Sequence, residues 1–322
     1  MSGHDDKKVK DEAMIKNSRC LPAQGFTLVE IAIVLAIIGL ALGMFLPIST
    51  AMKDTQSRQL TKTKLEVIDT ALANFVAQNK YLPCPALGTT ASGAANAGVE
   101  QRVVATGTCN PATQANGVVP WVTLGITEND ASDAWLQRIT YRVDPALASN
   151  TVPLMNMSSC DPIGTGPAIA IGASFSCAAP VSGCITTPLN CTSPANFLTD
   201  NLAGGARGKG LDVWDGVTLY ASRQNNRALG TGAAYVLISH GPTGTAAYNS
   251  SGSLTTGTVA AGTNEVPNQN NQALPVFPPG AALTFRDAQL SDATTAAHFD
   301  DYLSHPTIMS VLNKANLGPR AN

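Results

Sequence analysis

The sequence predicts an α+β protein that consists of one long N-terminal helix and a β-rich domain. Three observations lead to this fold class. An uncharged apolar run extends from Ile31 to Ile48, a stripe of apolar residues at helical spacing follows it, and segments rich in β-branched and aromatic residues lie further along the chain. Apolar residues make up 44% of the 322 residues, which is enough for a packed core.

The polar residues 1–25 show no periodicity, and we expect them to form a leader peptide outside the fold. Positive charges lie before the apolar run, which predicts a cytoplasmic N-terminus and an exported remainder. Met14 is an alternative start, which leaves a shorter leader with Lys16 and Arg19 and without an acidic residue.

The segment 26–48 is long enough to span a bilayer as a helix, which needs about 20 mostly apolar residues. We therefore expect a single-pass transmembrane helix in this segment. Gly39, Gly43 and Pro47 lower the propensity for a soluble helix, but membrane helices tolerate them.

An amphipathic continuation of the helix is expected over residues 49–80. Apolar residues recur there at helical spacing, at Leu65, Ile68, Leu72 and Phe75. Pro83 and Pro85 stop the helix, because proline cannot extend its hydrogen bonding. Residues 81–322 would then form an exported globular domain.

Strands are predicted where β-branched and aromatic residues cluster, at VPWVTLGI (119–126), RITYRV (138–143), 217–221 and Tyr235–Ser239. The first two segments are candidates for an antiparallel pair. Loops are predicted in stretches rich in Gly, Ala, Thr, Ser, Asn and Pro, at 86–118, 160–195 and 241–279.

Six cysteines follow the apolar run: Cys84, Cys109, Cys160, Cys177, Cys184 and Cys191. An even number in an exported domain indicates disulfides. Zinc is disfavoured because the spacing lacks a paired CxxC and an adjacent His. Cys84 and Cys109 lie apart from the other four, and we predict that they pair with each other. The pairing of the other four is open.

Neither a nucleic-acid partner, nor a cofactor, nor a catalytic residue is predicted. Only 13% of residues are charged and the formal net charge is −2, so no basic surface is available for phosphates. An enzyme would have to use His240, His298 and His305 with Ser239. Ser239 and His240 are adjacent at a predicted strand end, where neighbouring side chains point to opposite faces, so they do not suit a nucleophile and its base.

No metal site is predicted either. Carboxylates suited to calcium occur at Asp212, Asp215, Asp300 and Asp301, but solvated turns are their expected environment.

The order of Gly25, the apolar run and Glu30 differs from that of an ordinary secretory signal, whose small-residue cleavage site follows its apolar core. A carboxylate in a membrane helix costs about 2.5 to 3.5 kcal/mol on insertion scales, so Glu30 needs a partner. Cleavage after Gly25 would supply one, because the new α-amino group of Phe26 would be largely protonated near neutral pH. If the partner belongs to a neighbouring chain, the pair fixes the axial register between helices.

The residues GFTLVE at 25–30 resemble the class III signal of type IV prepilins and pseudopilins. The resemblance implies that a prepilin peptidase cuts between Gly25 and Phe26 and methylates the Phe26 amine. It also implies that Glu30 acts in subunit assembly and that Pro47 kinks the helix. The implied fold is pilin-like, with the distal half of the helix packed on an antiparallel sheet and a loop-rich, disulfide-containing C-terminal region.

The implied function is that of a minor pilin or pseudopilin in a type IV pilus, a type II secretion system or a DNA-uptake apparatus. Its partners would be the peptidase, other subunits, an inner-membrane assembly platform and, before assembly, membrane lipid. The chain would be a single-pass inner-membrane protein first and part of a periplasmic or extracellular filament afterwards. The alternatives are a tip adhesin that presents residues 241–279, a membrane-anchored exported enzyme and a plain anchor.

Overall fold

The computed structural model describes residues 27–151, 155–156, 209–214, 219–221, 232–257, 259–270, 284–294 and 296–318. Several residues singled out in the sequence lie outside these ranges: Gly25, Phe26, Cys160, Cys177, Cys184, Cys191 and Asp215. The predicted loop at 160–195 lies outside them as well. The chain divides into two compact units, Met1–Lys53 and Asp54–Asn322.

One helix, α1, extends from Leu28 to Asn79. It ends where Lys80 adopts a left-handed conformation with a φ of 65°, shortly before the two prolines that cannot continue a helix. The predicted continuous helix is thus confirmed, and Pro47 lies within it. Among the described residues, no helix is both long enough and apolar enough to cross a membrane, so the structure does not confirm the transmembrane helix.

Five short strands form an antiparallel sheet in the order β1-β4-β5-β8-β10. They are β1 (Ala86–Leu87), β4 (Gly117–Val118), β5 (Thr140–Val143), β8 (Tyr235–Ser239) and β10 (Tyr302–Ser304). The longest pairing joins β5 to β8, with Thr140 opposite Ile238 and Val143 opposite Tyr235. Both strands are buried along their whole length.

Smaller elements complete the described part of the fold. Two strands, β2 (Arg102–Val103) and β3 (Thr108–Cys109), pair as an antiparallel hairpin. Three strands form a second sheet in the order β7-β6-β9, namely β6 (Asp212–Trp214), β7 (Leu219–Ala221) and β9 (Thr284–Arg286). Three short helices are α2 (Pro111–Asn116), α3 (Trp121–Leu124) and α4 (Ile308–Lys314), and a 3₁₀ turn covers Val266–Asn268.

The apolar stripe of α1 belongs to the main core of Asp54–Asn322. Leu65, Ile68, Leu72 and Val76 are at most 4% exposed and form one cluster with apolar residues of β5, β8 and α4. Each fully buried large apolar side chain contributes about 1.5 to 3 kcal/mol. Phe75, which the stripe includes, is only half-buried. The α+β class is therefore confirmed, with the distal part of the long helix sharing its core with an antiparallel sheet.

A polar contact also joins α1 to this sheet. The Asp69 carboxylate accepts hydrogen bonds from the Tyr235 hydroxyl at 3.0 Å and from the Ser304 hydroxyl at 2.7 Å. Burial raises the pKa of Asp69, although both hydroxyl donors oppose the shift. The contact fixes the helix against β8 and β10.

The strand predictions are confirmed at RITYRV and Tyr235–Ser239, where β5 and β8 occur, and the third candidate contains β7. The prediction of a strand at VPWVTLGI is wrong, because Trp121–Leu124 forms the short helix α3. Gly125 ends α3 in a left-handed conformation with a φ of 70°. The strand beside β5 is instead β4, immediately before this segment.

Two of the predicted loops are more ordered than expected. Residues 86–118 contain β1 to β4 and α2. Much of the described part of 241–270 is buried, with Ala247, Asn268 and Asn270 at most 2% exposed. Composition indicates few regular elements in such stretches, but it does not predict whether they pack.

A disulfide between Cys84 and Cys109 confirms the predicted pairing. The two sulfur atoms lie 2.02 Å apart, and the cysteines are separated by 25 residues in sequence. Both side chains are buried in the main core. The bond therefore connects the segment after α1 to the end of β3.

We expect the double variant Cys84→Ala/Cys109→Ala to lower the free energy of unfolding by about 3 kcal/mol. The bond lowers the conformational entropy of the unfolded chain. For a closed loop of this length, the resulting stabilisation is about 3 kcal/mol. Urea denaturation of both proteins under non-reducing conditions would measure the difference, and the double variant leaves no unpaired thiol at this site. A loss below about 1 kcal/mol would show that the bond is not a major constraint.

Candidate functional site

A reciprocal capping box fixes the N-terminus of α1. The Glu30 carboxylate accepts hydrogen bonds from the Thr27 backbone N–H at 2.9 Å and from the Thr27 hydroxyl at 3.0 Å. In return, the Glu30 backbone N–H donates to the Thr27 hydroxyl oxygen at 3.2 Å. Such a box satisfies backbone donors that have no partner within the helix, and it places a negative charge at the positive end of the helix dipole.

The capping box determines where the Glu30 carboxylate lies. The carboxylate is solvent-exposed and sits against the backbone N–H of Thr27, the residue that follows Phe26. A positive charge on the backbone nitrogen of Phe26 would therefore be one residue away along the chain. Thr27 was not singled out in the sequence, although the spacing Thr-x-x-Glu before an apolar run is the signature of a capping box.

The first turns of α1, on both sides of Glu30 in sequence, expose a continuous apolar surface. The exposed apolar residues are Leu28, Val29, Ile31, Ile33, Val34, Leu35, Ile37, Ile38 and Leu40. Their exposed fractions range from 47% to 84%. An uninterrupted apolar surface of this kind marks a site of association with another protein or with lipid. The N-terminal part of α1 therefore combines one oriented carboxylate with an apolar association surface.

The serine and histidine that an enzyme would use have separate partners. The Ser239 hydroxyl donates to the Asp133 carboxylate at 2.7 Å. The His240 imidazole lies 3.0 Å from the Thr140 hydroxyl through Nε2 and 3.4 Å from an Asp301 oxygen through Nδ1. The third candidate, His305, lies 3.0 Å from Asp287. These contacts follow the alternation of side chains expected at the end of a strand.

The expectation of solvated turns around the candidate calcium carboxylates is wrong at three of the four positions. Asp212, Asp300 and Asp301 are at most 6% exposed, and Asp215 lies outside the described residues. The backbone around Asp300 and Asp301 packs inside the domain because their carboxylates accept hydrogen bonds from neighbouring loop segments. Buried carboxylates of this kind need such donors.

A buried cluster that the sequence did not predict contains Glu265, His298 and Asp300. One oxygen of each carboxyl group and one imidazole nitrogen lie within 4.8 Å of one another. Burial raises the pKa of Asp300 to about 6, and the neighbouring Glu265 adds to the shift, while the backbone N–H of Thr243 opposes it. No motif connects these residues, because Glu265 lies far from the other two in sequence.

The comparison with known families concerns the start of α1. Residues 22–46 match the family model described as the prokaryotic N-terminal methylation motif. The matched segment contains Gly25, Phe26 and the Thr27–Glu30 capping box, and the match supports a class III signal of the kind found in type IV prepilins and pseudopilins. No curated protein and no solved structure gives a significant match to the chain.

The matched motif supports a type IV pilin-like precursor in general. A motif of this type implies processing by a prepilin peptidase and assembly with other pilin subunits. It also suggests a protein that is first anchored in a membrane and later periplasmic or extracellular.

Proposed function

We propose that the chain is a minor pilin or pseudopilin, a structural subunit that a prepilin peptidase processes between Gly25 and Phe26. One observation carries this proposal: the Glu30 carboxylate is oriented by Thr27 at the start of an exposed apolar helix. This arrangement lies inside the segment that matches the methylation motif.

Processing would place a positive charge next to this carboxylate. Cleavage releases the α-amino group of Phe26, which is largely protonated near neutral pH and keeps its positive charge after N-methylation. The box holds Glu30 beside the backbone of residue 27, so the amine and the carboxylate of one chain would lie close together, within reach of the corresponding pair on a neighbour. In an apolar medium, the only stable axial stagger of the two helices is one that pairs both amines with both carboxylates.

Before assembly, the leader and the apolar surface of α1 would hold the subunit at the inner membrane, in contact with lipid and with an assembly platform. Extraction from lipid would transfer this apolar surface onto a different face of the N-terminal helices of other subunits. Contacts of this kind join different faces of identical or related chains, so they do not close into a ring and a helical filament grows. Pro47 would adjust the direction of the helix, since proline removes one backbone hydrogen bond.

We propose a role in assembly rather than in catalysis. The separate partners of Ser239 and His240 support this choice, because a nucleophile and its base need to contact each other. The described part of 241–270 gives little support to an adhesive loop, since residues such as Ala247 and Asn268 are buried. The large globular part expected at 81–322 favours a minor subunit over a major one.

The test is the mass of the N-terminal peptide after co-expression of the full chain with a prepilin peptidase. We expect N-methylated Phe26 as the first residue of the wild-type protein and an uncleaved leader in Gly25→Val. The matched control is Gly39→Ala, a glycine of α1 whose added methyl group would meet no atom within 4 Å. An unprocessed wild-type chain, or equal processing of Gly25→Val, would contradict the proposal.

A further inference from the structure

The long connection that follows β8 is fastened to the segment that precedes β10. The Thr243 backbone N–H donates to the Asp300 carboxylate at 2.9 Å. Further along the connection, the Asn268 side-chain amide donates to the Asp301 carboxylate at 2.8 Å. Two adjacent acidic residues thus hold two separate parts of the same connection.

Glu265 lies at the centre of this fastening. Its carboxylate accepts hydrogen bonds from the backbone N–H groups of Gly262 at 2.9 Å and of Asp300 at 2.7 Å. The His298 Nδ1 lies 2.9 and 3.1 Å from its two oxygens. Each oxygen therefore has an N–H partner, so hydrogen bonds alone account for the position of the carboxylate.

The charges of the cluster favour a bound proton. Glu265, His298 and Asp300 are 3%, 5% and 6% exposed, and desolvation opposes ionisation of the Asp300 carboxyl group. Two carboxyl groups in contact cannot both ionise without strong repulsion, and a single imidazolium compensates only one of them. A proton on Asp300 removes this repulsion, because the carboxyl group is then neutral beside Glu265.

The surrounding titratable groups do not add a permanent positive charge to the cluster. Asp301 adds a further carboxylate, and His240 lies 3.4 Å from it. Tyr302, the next residue, is influenced by the charge of Asp300. Among the hydrogen bonds and ion pairs of the described residues, none places a Lys or Arg side chain on Glu265 or Asp300.

We propose that Glu265, His298 and Asp300 form a proton-dependent latch that holds the connection after β8 in its packed position and releases it when Asp300 loses its proton. The burial of the three groups and their mutual contacts support this proposal.

The direction of the effect follows from the raised pKa of Asp300. The ordinary pKa of an aspartic acid side chain is 3.8, and this value applies to Asp300 in the unfolded or released chain. In the packed state, the pKa of Asp300 is raised to about 6. The packed state therefore binds more protons in this interval, and the stability that the latch contributes decreases as the pH rises through it. The latch is closed in mildly acidic surroundings and weakened near neutral pH.

Hydrogen–deuterium exchange of the full-length protein tests the latch. Exchange would be followed in peptides from 241–270, with β5 and β8 as internal references, at about pH 4.5 and about pH 7.5. Rates would be divided by the intrinsic chemical rate at each pH. We expect protection of 241–270 to decrease about tenfold or more between these conditions, while the reference strands change little.

The variant Asp300→Asn tests whether the proton on Asp300 causes the pH response. The amide has nearly the shape of a protonated carboxyl group, can still accept from Thr243 and can donate to Glu265, and it does not ionise. We expect its protection in 241–270 to be independent of pH, whereas the exposed control Asp292→Asn should behave like the wild type.

Three results would overturn the latch. They are pH-independent protection in the wild type, an unchanged pH response in Asp300→Asn, and a change of protection on addition or chelation of divalent cations at constant pH. The last result would identify the cluster as a cation site.

Discussion

The variant Glu30→Gln is expected to be cleaved normally and to be lost from filaments. Glutamine keeps the length of the side chain and can still accept from Thr27, so the helix start is conserved. The negative charge is lost, however, and the Phe26 amine would lose its partner in an apolar environment. Removing one member of a buried ion pair costs about 3 to 5 kcal/mol, which corresponds to a loss of incorporation on the order of a hundredfold or more.

Incorporation would be measured by quantitative immunoblotting of sheared filaments from cells that express the full set of subunits and the peptidase. The control is Glu66→Gln, which removes an exposed carboxylate from the same helix. It should assemble like the wild type. Equal incorporation of Glu30→Gln and Glu66→Gln would show that the Glu30 charge does not act in assembly.

The second large effect is expected for Arg138→Met, which should lower the free energy of unfolding by about 3 to 5 kcal/mol. Arg138 is 1% exposed, and its guanidinium group donates to the Glu128 carboxylate at 2.7 Å. It also donates to the carbonyl oxygens of Gly88 and Thr90 and lies 4.9 Å from the centre of the Trp121 ring. Methionine fills the space but removes the guanidinium donor from these acceptors, although Glu128 retains the hydrogen bond from the Ser92 hydroxyl.

Urea denaturation of the variants would measure this loss. Arg58→Met is the matched control, because Arg58 pairs with Asp54 on the surface of α1 and such pairs contribute at most about 1 kcal/mol. Arg138→Lys tests the geometry, since lysine keeps the charge but lacks the planar fork that reaches several acceptors. It should fall between the wild type and Arg138→Met. A loss of less than about 1 kcal/mol for Arg138→Met would contradict the structural interpretation.

Periodicity predicted the parts of the fold in which one face of an element is buried. The spacing of Leu65, Ile68 and Leu72 predicted the helix, and these three residues lie in the core. The β-branched composition of Tyr235–Ser239 likewise predicted β8, which is buried along its length. In both cases, local preference and tertiary burial favour the same structure.

Prediction from composition failed where tertiary contacts determine the secondary structure. Composition favoured a strand around Trp121, but its indole packs against Gly98, at a position where any larger residue would clash, and the backbone turns into α3. Such a contact between distant loops leaves no periodic signal.

The polar sites were predictable only where their residues lie close together in sequence. The start of α1 was predictable because Gly25 and Glu30 lie in one short segment whose order carries the information. Glu265 and His298 are brought together only by the folding of two connections. Each residue alone is typical of a solvated turn, so the sequence could not predict their burial.

The order of strands in the main sheet has a consequence for how the domain would form during the proposed export. β5 pairs with β4 a short distance earlier in the chain, but its other neighbour, β8, lies about a hundred residues later. A chain that crosses a membrane from its N-terminal side thus presents β5 with one open edge until β8 arrives. Loop-closure entropy makes such distant pairing slow. If the domain is exported as proposed, its partly translocated state would expose this strand edge to proteases and to strand exchange with other chains.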